Sequence, residues 1–228
     1  MAVIRVLSYN VRGLRDDFGA LTRVVQGAGP DVVVVQEAPI YLRWRSRSAK
    51  LARSCGLVYV AGGRSAGGNL IMVAPRVMAR GANELRIRQP LRDPIRGVVS
   101  ARVEVAGVRF GVVGCHLGLK PDGRRDQVQA VIEVANGLGA PGIVAGDFNE
   151  PPSGACWRAL EEAGYKDPAK GEGEDTFPAR GPRTRIDAVL TTSGIEVKEY
   201  GVLEHDRADL EAATDHLPVL AVIDVPKE

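Results

Sequence analysis

The stretch GIVAGDFN, residues 142–149, joins a short apolar segment to an aspartate and an asparagine. Gly142–Gly146 has the length and composition of a buried strand. Isolated Asp or Asn residues after a strand are usually turn residues. The period of two in a strand would nevertheless place Asp147 and Asn149 on one face, with Phe148 pointing into the core.

The same arrangement recurs along the chain, where apolar segments begin or end at side chains that can bind a metal or move a proton. Because side chains at strand ends converge on one crevice in sheet-based enzymes, we expect them to form a single site. Two of the three histidines are among them. The residues are Asn10, Glu37, His116, Asp147, Asn149, Asp187, Asp215 and His216.

Periodicity and turn signals predict about nine strands and four helices, connected both by hairpins and by helical crossovers. This combination indicates an α/β fold with mixed sheets, and two sheets flanked by helices fit it better than one open sheet. No linker divides the chain, so we expect a single domain over residues 1–228. The predicted helices are Asp16–Ala28, Ile40–Ser54, Asp122–Leu138 and a helix capped by Ser153 that runs to Ala163.

The composition is that of a folded globular protein, with 45% hydrophobic and 25% charged residues. No apolar run approaches the roughly 20 residues that span a bilayer, so no integral membrane association is expected. The N-terminus lacks the features of a signal peptide. The three cysteines form no CxxC pair, which argues against a disulfide framework or a structural zinc site. We therefore expect a reduced, cytoplasmic protein, and a monomer.

The chemistry of the eight site residues favours a hard divalent cation. Carboxylate and amide oxygens select Mg²⁺, Mn²⁺ or Ca²⁺, whereas zinc would need more His or Cys ligands. A divalent cation beside a carboxylate and one or two histidines suits attack of water on phosphorus. The sequence thus predicts a phosphoester hydrolase.

Seven short motifs are spread along the chain, and they are LSYNVRG (7–13), QE (36–37), GNLIMV (68–73), HLGL with a following R-x-x-Q (116–127), GDFN (146–149), RIDAVL (185–190) and TDHLPV (214–219). They resemble those of the endonuclease/exonuclease/phosphatase superfamily, including its deoxyribonuclease-like and sphingomyelinase-like members. They occur in the family's order and span nearly the whole chain. The resemblance implies a four-layer α/β/β/α sandwich and dependence on Mg²⁺ or Mn²⁺.

The resemblance also implies a role for each site residue. Glu37 matches the principal metal ligand, with Asn10 beside it and Asp215 as a second or alternative metal contact. Asp147 matches the residue that orients or deprotonates the attacking water, and Asn149 matches one that contacts the scissile phosphate.

The two site histidines have different counterparts in the family. His216 matches the histidine that polarises the phosphate, and Asp187 its partner carboxylate. His116 is shared with the deoxyribonucleases and sphingomyelinases, whereas abasic-site enzymes have Tyr there. Arg12 stands where those enzymes carry an acidic residue, which argues against that activity. For Arg96, contact with the site and a solvated strand end remain equal alternatives.

Two rival interpretations remain. Residues 63–67 match the G-x-S-x-G pattern of a serine hydrolase, with Asp187 and His216 following in the right order. The stretch after Ser65 reads as a strand, however, whereas a nucleophile elbow requires a helix. A binding protein that has lost its chemistry is the second rival, although it would be expected to lack some of these residues.

The sequence does not define the substrate. A phosphodiesterase or nuclease acting on DNA or RNA is the first candidate. A phosphatase, or a phosphodiesterase acting on a phospholipid or small molecule, is the alternative. The net charge of +2 is too small to indicate nucleic acid. Arg43, Arg45, Arg47 and Arg53 could face phosphate or lipid headgroups, or could simply form a solvated helix face.

Overall fold

The computed structural model describes residues 2–90 and 93–226, and within them the chain forms twelve strands and five α-helices. The strands are β1 (Ala2–Asn10), β2 (Val32–Gln36), β3 (Val58–Gly63), β4 (Asn69–Val73), β5 (Met78–Ile87), β6 (Arg96–Val105), β7 (Val108–His116), β8 (Gly142–Asp147), β9 (Tyr165–Lys166), β10 (Asp187–Thr192), β11 (Glu196–Val202) and β12 (Val219–Val225). The helices are α1 (Phe18–Ala28), α2 (Trp44–Ser54), α3 (Pro121–Leu138), α4 (Ala155–Glu162) and α5 (Arg207–Ala213).

The strands form two six-stranded mixed sheets, ordered β11-β12-β1-β2-β4-β3 and β5-β6-β7-β8-β10-β9. Each sheet has one parallel pair at its centre, β1 with β2 and β7 with β8. The other paired strands run antiparallel. This mixture explains why the sequence shows both hairpins and helical crossovers.

The sheets pack face to face over a core of small and β-branched side chains. Valine dominates it because branched side chains pack well on a pleated surface. The valine run of β2 is buried throughout, as expected for a strand covered on both faces. Val34 from one sheet lies against Gly114 of the other, where a Cβ atom would come within 2.6 Å of the valine.

Helices cover the outer face of each sheet. α1 and α2 pack on the first sheet through residues such as Leu21 and Leu51, and α3 and α4 pack on the second through Val131 and Leu160. The predicted four-layer α/β/β/α sandwich is therefore confirmed. No helix within the described residues is long and apolar enough to cross a membrane.

Some elements differ from the prediction. β5 was not predicted because it is an exposed edge strand without apolar alternation, and α5 because it is only seven residues long. Gly154, not Ser153, is the N-cap residue of α4, and Glu150 accepts the hydrogen bond from the Cys156 backbone instead.

The single-domain assignment stays a prediction, and residues 1, 91, 92, 227 and 228 within its range lie outside the described residues.

The topology brings the candidate residues to one edge of the sandwich. Parallel strands β1, β2, β7 and β8 all end there, while their antiparallel neighbours β10 and β12 begin there. As a result, Asp187 at the start of β10 is the direct cross-strand partner of Asp147 at the end of β8.

Candidate active site

Asp147 lies at the centre of the candidate site. Its Oδ2 accepts a hydrogen bond from Asn10 Nδ2 at 3.1 Å and lies 3.3 Å from His116 Nε2 and 3.8 Å from His216 Nε2. Its Oδ1 accepts from the Asn149 backbone N–H at 2.9 Å. One buried carboxylate thus connects both sheets and both site histidines.

The environment of Asp147 holds its pKa near neutrality. Burial, together with the charge of Asp187, raises the pKa of Asp147 to about 7. The charge of His216 and the hydrogen bonds from Asn149 and Asn10 oppose this rise. A carboxyl with such a pKa can accept a proton and release it again at physiological pH.

His216 and Asp187 form a hydrogen-bonded pair, with His216 Nδ1 2.9 Å from Asp187 Oδ2. Burial lowers the pKa of His216, but the charge and hydrogen bond of Asp187 outweigh that effect and raise it to about 9. The ring is therefore protonated at neutral pH, and its Nε2 faces the crevice as a charged donor. Phe177 packs against the ring at 4.8 Å between centroids.

Asp187 is held in place by Thr176, whose hydroxyl donates to Asp187 Oδ2 at 2.7 Å. The nearby Arg185 instead forms a bidentate pair with Asp167. Asp187 is the first residue of its strand.

His116 is neutral and lies between two hydrogen-bond donors. Burial, and then the positive charges of Arg96 and His216, lower the pKa of His116 well below its ordinary value. Arg96 Nη1 lies 3.3 Å from His116 Nδ1. A guanidinium can only donate, so this contact uses Nδ1 as the acceptor, whereas the 3.0 Å contact with the Asn149 Nδ2 donor uses Nε2 as the acceptor.

Asn149 lies in the site, as the strand periodicity predicted, but a turn and not a strand places it there. Its backbone is left-handed, with φ of 52°, so β8 has already ended. The Asn149 side chain donates to the Leu117 carbonyl oxygen at 2.8 Å and lies 3.0 Å from His116 Nε2. Phe148 between them is fully buried against Trp157, as predicted.

Glu37 and Asn10 lie together on the first sheet, with Asn10 Nδ2 3.4 Å from Glu37 Oε1. Glu37 has a left-handed backbone, with φ of 53°, a costly conformation that functional sites often contain. Asn10 faces Glu37, Asp147 and His216 at once. Mg²⁺ and Mn²⁺ prefer oxygen ligands, and the Glu37 carboxylate offers them, whereas the Asn10 Oδ1 atom accepts a hydrogen bond from the Arg12 backbone N–H at 3.0 Å.

A second group of possible ligands is formed by Asp147, Asp187 and His216, whose nearest donor atoms lie within 4.8 Å of one another. The His216 Nδ1 atom, however, is already hydrogen-bonded to Asp187. The group therefore suits a proton-holding network better than a metal cage, and the assignment of Glu37 and Asn10 as metal ligands stays a prediction.

Asp215 lies at the rim of the crevice, and its carboxylate is paired with Arg12 at 3.2 Å. It is about one-third exposed, whereas Asp147 and Asp187 are buried. The neighbouring His216 enters the site, but the role of Asp215 as a metal ligand stays a prediction.

A sequence profile of the Endonuclease/Exonuclease/phosphatase family matches residues 7–216. The chain belongs to this family. Comparison with curated proteins finds no match.

Several solved structures share the fold of this chain at low sequence identity. An Enterococcus faecalis V583 protein of unknown function is 16% identical, with a TM-score of 0.82 over 98% of this chain and 100% of its own. The mannosyl-6-phosphatase Bt3783 of Bacteroides thetaiotaomicron is 20% identical, with a TM-score of 0.79 over 97% and 99%. TDP2 of D. rerio, solved with a single-strand DNA product, is 18% identical, with a TM-score of 0.75 over 99% and 100%.

Sequence reasoning missed or left open three residues of this family member's site. Thr176 and Phe177 lie in a loop whose sequence has no periodic pattern. The fold brings the Thr176 hydroxyl to Asp187 and the Phe177 ring to His216. Arg96 was left undecided, and the structure places its guanidinium beside His116. Burial lowers the pKa of Arg96, although Asp147 and Glu37 oppose the change.

The local structure of the G-x-S-x-G segment differs from that of a nucleophile elbow. Residues Arg64–Ala66 form a short turn between β3 and β4, so a strand and not a helix follows. The Ser65 hydroxyl is buried and has no hydrogen-bond partner in the part of the chain that the structure describes. These observations leave the serine-hydrolase interpretation without its structural context.

We expect Ser65→Ala to change phosphoester turnover by less than about threefold, because a serine outside the site contributes little. Stability should hold or rise slightly, since the variant removes a buried hydroxyl without a partner. Steady-state kinetics and a thermal melt measure both effects. A loss of several orders of magnitude in turnover would instead support Ser65 as a nucleophile.

Proposed function

We propose that the protein is a divalent-metal-dependent phosphoester hydrolase, most readily a phosphodiesterase or nuclease, that attacks phosphorus with an activated water. The observation that carries the proposal is the buried Asp147 carboxylate, held between Asn10 and the two site histidines. Membership of the Endonuclease/Exonuclease/phosphatase family supports the same reaction class.

Asp147 is the proposed general base. With a pKa raised to about 7, it can hold a water by hydrogen bonding and take its proton as the oxygen attacks phosphorus. The Asn149 backbone N–H and the Asn10 amide fix the two carboxylate oxygens, so the base is oriented before substrate arrives.

His216 is the proposed donor to the phosphate oxygens. Its Nδ1–H is held by Asp187, so the Nε2–H of the imidazolium is free to face the negative charge that grows in the transition state. Neutral His116 and the adjacent Asn149 amide form the opposite wall of the crevice, where they can orient the scissile phosphate.

Glu37 and Asn10 would hold Mg²⁺ or Mn²⁺. When bound, the ion would neutralise phosphate charge beside the attacked phosphorus. Arg96, buried beside His116, adds a further positive charge to the same crevice. These residues supply a cationic setting for an anionic substrate.

A phosphomonoesterase is the alternative function, and the similarity in fold to a mannosyl-6-phosphatase favours testing it. Purified protein should be assayed with Mg²⁺ and with Mn²⁺ on plasmid DNA, single-stranded DNA, RNA, sphingomyelin, inositol phosphates, mannose 6-phosphate and bis-p-nitrophenyl phosphate. Turnover of a diester supports the proposal, and turnover of monoesters alone supports the alternative. No metal-dependent turnover of any of them would favour a binding protein.

The metal position gives a prediction that does not depend on knowing the substrate. We expect Mn²⁺ to raise the melting temperature of the wild-type protein, because a ligand that binds only the folded state stabilises it. Glu37→Gln should lose most of that rise, since the variant replaces the proposed main anionic ligand with a neutral amide. Calorimetric titration with Mn²⁺ should show affinity lower by about tenfold or more.

Glu104→Gln is the matched control, since Glu104 is also half-buried but lies on β6, paired with Arg80 and Arg109. It should keep the wild-type response to Mn²⁺. An unchanged Mn²⁺ affinity in Glu37→Gln would move the metal site elsewhere, for example to Asp147 and Asp187.

A further inference from the structure

Charge is unevenly distributed along the chain. Residues 38–83 contain eight basic and no acidic residues, whereas the rest of the chain contains 22 basic and 28 acidic residues. Five of the eight belong to the start of α2 or its outer face, and they are Arg43, Arg45, Arg47, Lys50 and Arg53. The small net charge of the whole protein therefore conceals a strongly cationic region.

The five α2 cations are exposed, and none forms an ion pair with a carboxylate within residues 2–90 and 93–226. Two other basic residues within residues 38–83 do form ion pairs, Arg76 with Asp31 and Arg80 with Glu104. The positive charge on α2 is thus available to an external anion.

Exposed apolar side chains lie beside this charge. Tyr41 and Leu42, immediately before α2, are 73% and 85% exposed. The end of this loop is anchored, because the Trp44 ring packs against Gly63. A Cβ atom on Gly63 would lie only 2.5 Å from that ring. The structure therefore presents two large apolar side chains to solvent from an anchored loop.

This loop borders the candidate active site. Leu42 follows Glu37 by five residues, so their Cα atoms are at most about 18 Å apart. A third apolar side chain, Leu119, is 74% exposed. It follows by three residues His116, which ends β7 of the other sheet. Exposed apolar side chains therefore lie within five residues of Glu37 and three residues of His116, the site residues that end β2 and β7.

We propose that Tyr41, Leu42 and the five α2 cations form a docking surface for the face of an anionic lipid bilayer, with Leu119 as a second apolar contact. Apolar side chains can enter the interface while neighbouring cations attract anionic headgroups. Binding in this way turns the opening of the active site toward the lipid. The inference does not depend on the proposed hydrolysis, because docking is measured without turnover.

The apolar residues favour lipid over single-stranded nucleic acid. Stacking on bases needs exposed aromatic faces, and Tyr41 is the one aromatic side chain of the described residues that is more than half exposed. Leu42 and Leu119 have no aromatic face, but both would leave water on entering a bilayer interface. Nucleic acid would use the cations and leave both leucines in solvent.

The test is co-sedimentation of the full chain with vesicles, in chelator so that no turnover occurs. One set of vesicles is phosphatidylcholine alone, and the other is an equal mixture with phosphatidylglycerol. We expect binding to the anionic vesicles only, weakened by added salt. Lys50→Gln with Arg53→Gln should reduce the partition coefficient by about fivefold per charge, and Leu42→Ser by about fivefold.

Matched controls remove the same groups elsewhere. Val3→Ser changes an exposed apolar residue at the far end of β1, and Arg125→Gln with Lys198→Gln removes two exposed charges outside α2. All should bind as wild type does. The proposal would be overturned if the wild-type protein did not bind anionic vesicles, or if Leu42→Ser left that binding unchanged. Binding of single-stranded DNA through Lys50 and Arg53, without vesicle binding, would assign the surface to nucleic acid instead.

Discussion

Replacing Asp147 with asparagine is expected to lower phosphoester turnover by about 10²–10⁴-fold, the usual contribution of a general base. The amide keeps the size of the side chain and can still face Asn10 and the Asn149 backbone, but it cannot take a proton from water. The effect should appear in kcat at saturating Mg²⁺, because the substrate-orienting residues are unchanged. Steady-state kinetics on whichever diester the wild type cleaves measures it.

Asp224→Asn is the matched control for this prediction. Asp224 is also a buried aspartate, and its Oδ1 has no hydrogen-bond partner in the described part of the chain. It lies opposite Val3 on β1, at the end of the sandwich away from the site. Its variant should keep wild-type turnover. If Asp147→Asn loses no more activity than Asp224→Asn, Asp147 is not the base.

The fold was predictable because its central strands are nearly pure apolar runs. β2 and β8 are buried along their whole length, so composition alone marks them. β5 has no such signal, since it is an exposed edge strand paired on one side with β6. Its strand conformation depends on that pairing with the next strand along the chain, which its own residue pattern does not indicate.

The site was predictable as far as it depends on strand ends. Asn10, His116 and Asp147 each close a strand, and the parallel pairs bring those ends to one edge. Contacts made by irregular loops were not predictable. Thr176 is 11 residues from Asp187, and no periodic pattern between them indicates the hydrogen bond that joins their side chains.

Local conformation was the other limit. Asn149 was assigned to the site by strand periodicity, but a left-handed turn places it there. Asp215 adjoins a residue that enters the crevice, yet an ion pair with Arg12 holds its carboxylate at the rim. Neighbouring residues in a motif can therefore differ in their access to the site.

His216→Ala is expected to lower turnover by about 10²–10⁴-fold, because the variant removes the proposed charged donor to the phosphate. Adding Asp187→Ala to this variant should cost little more. Asp187 acts on the phosphate through the ring, whose Nδ1 it holds at 2.9 Å and whose pKa it helps to raise. Residues that act as one unit give losses that do not multiply.

Stability separates this positioning role from a purely structural one. Asp187→Ala also removes the acceptor of the Thr176 hydroxyl, so it should destabilise the fold as well as slow turnover. Thr176→Val is the matched variant, since it breaks that hydrogen bond but leaves the His216–Asp187 pair intact. It should lower the melting temperature with a much smaller loss in kcat than Asp187→Ala. If the losses of His216→Ala and Asp187→Ala multiply, or Asp187→Ala changes only the melting temperature, then Asp187 does not act through the ring.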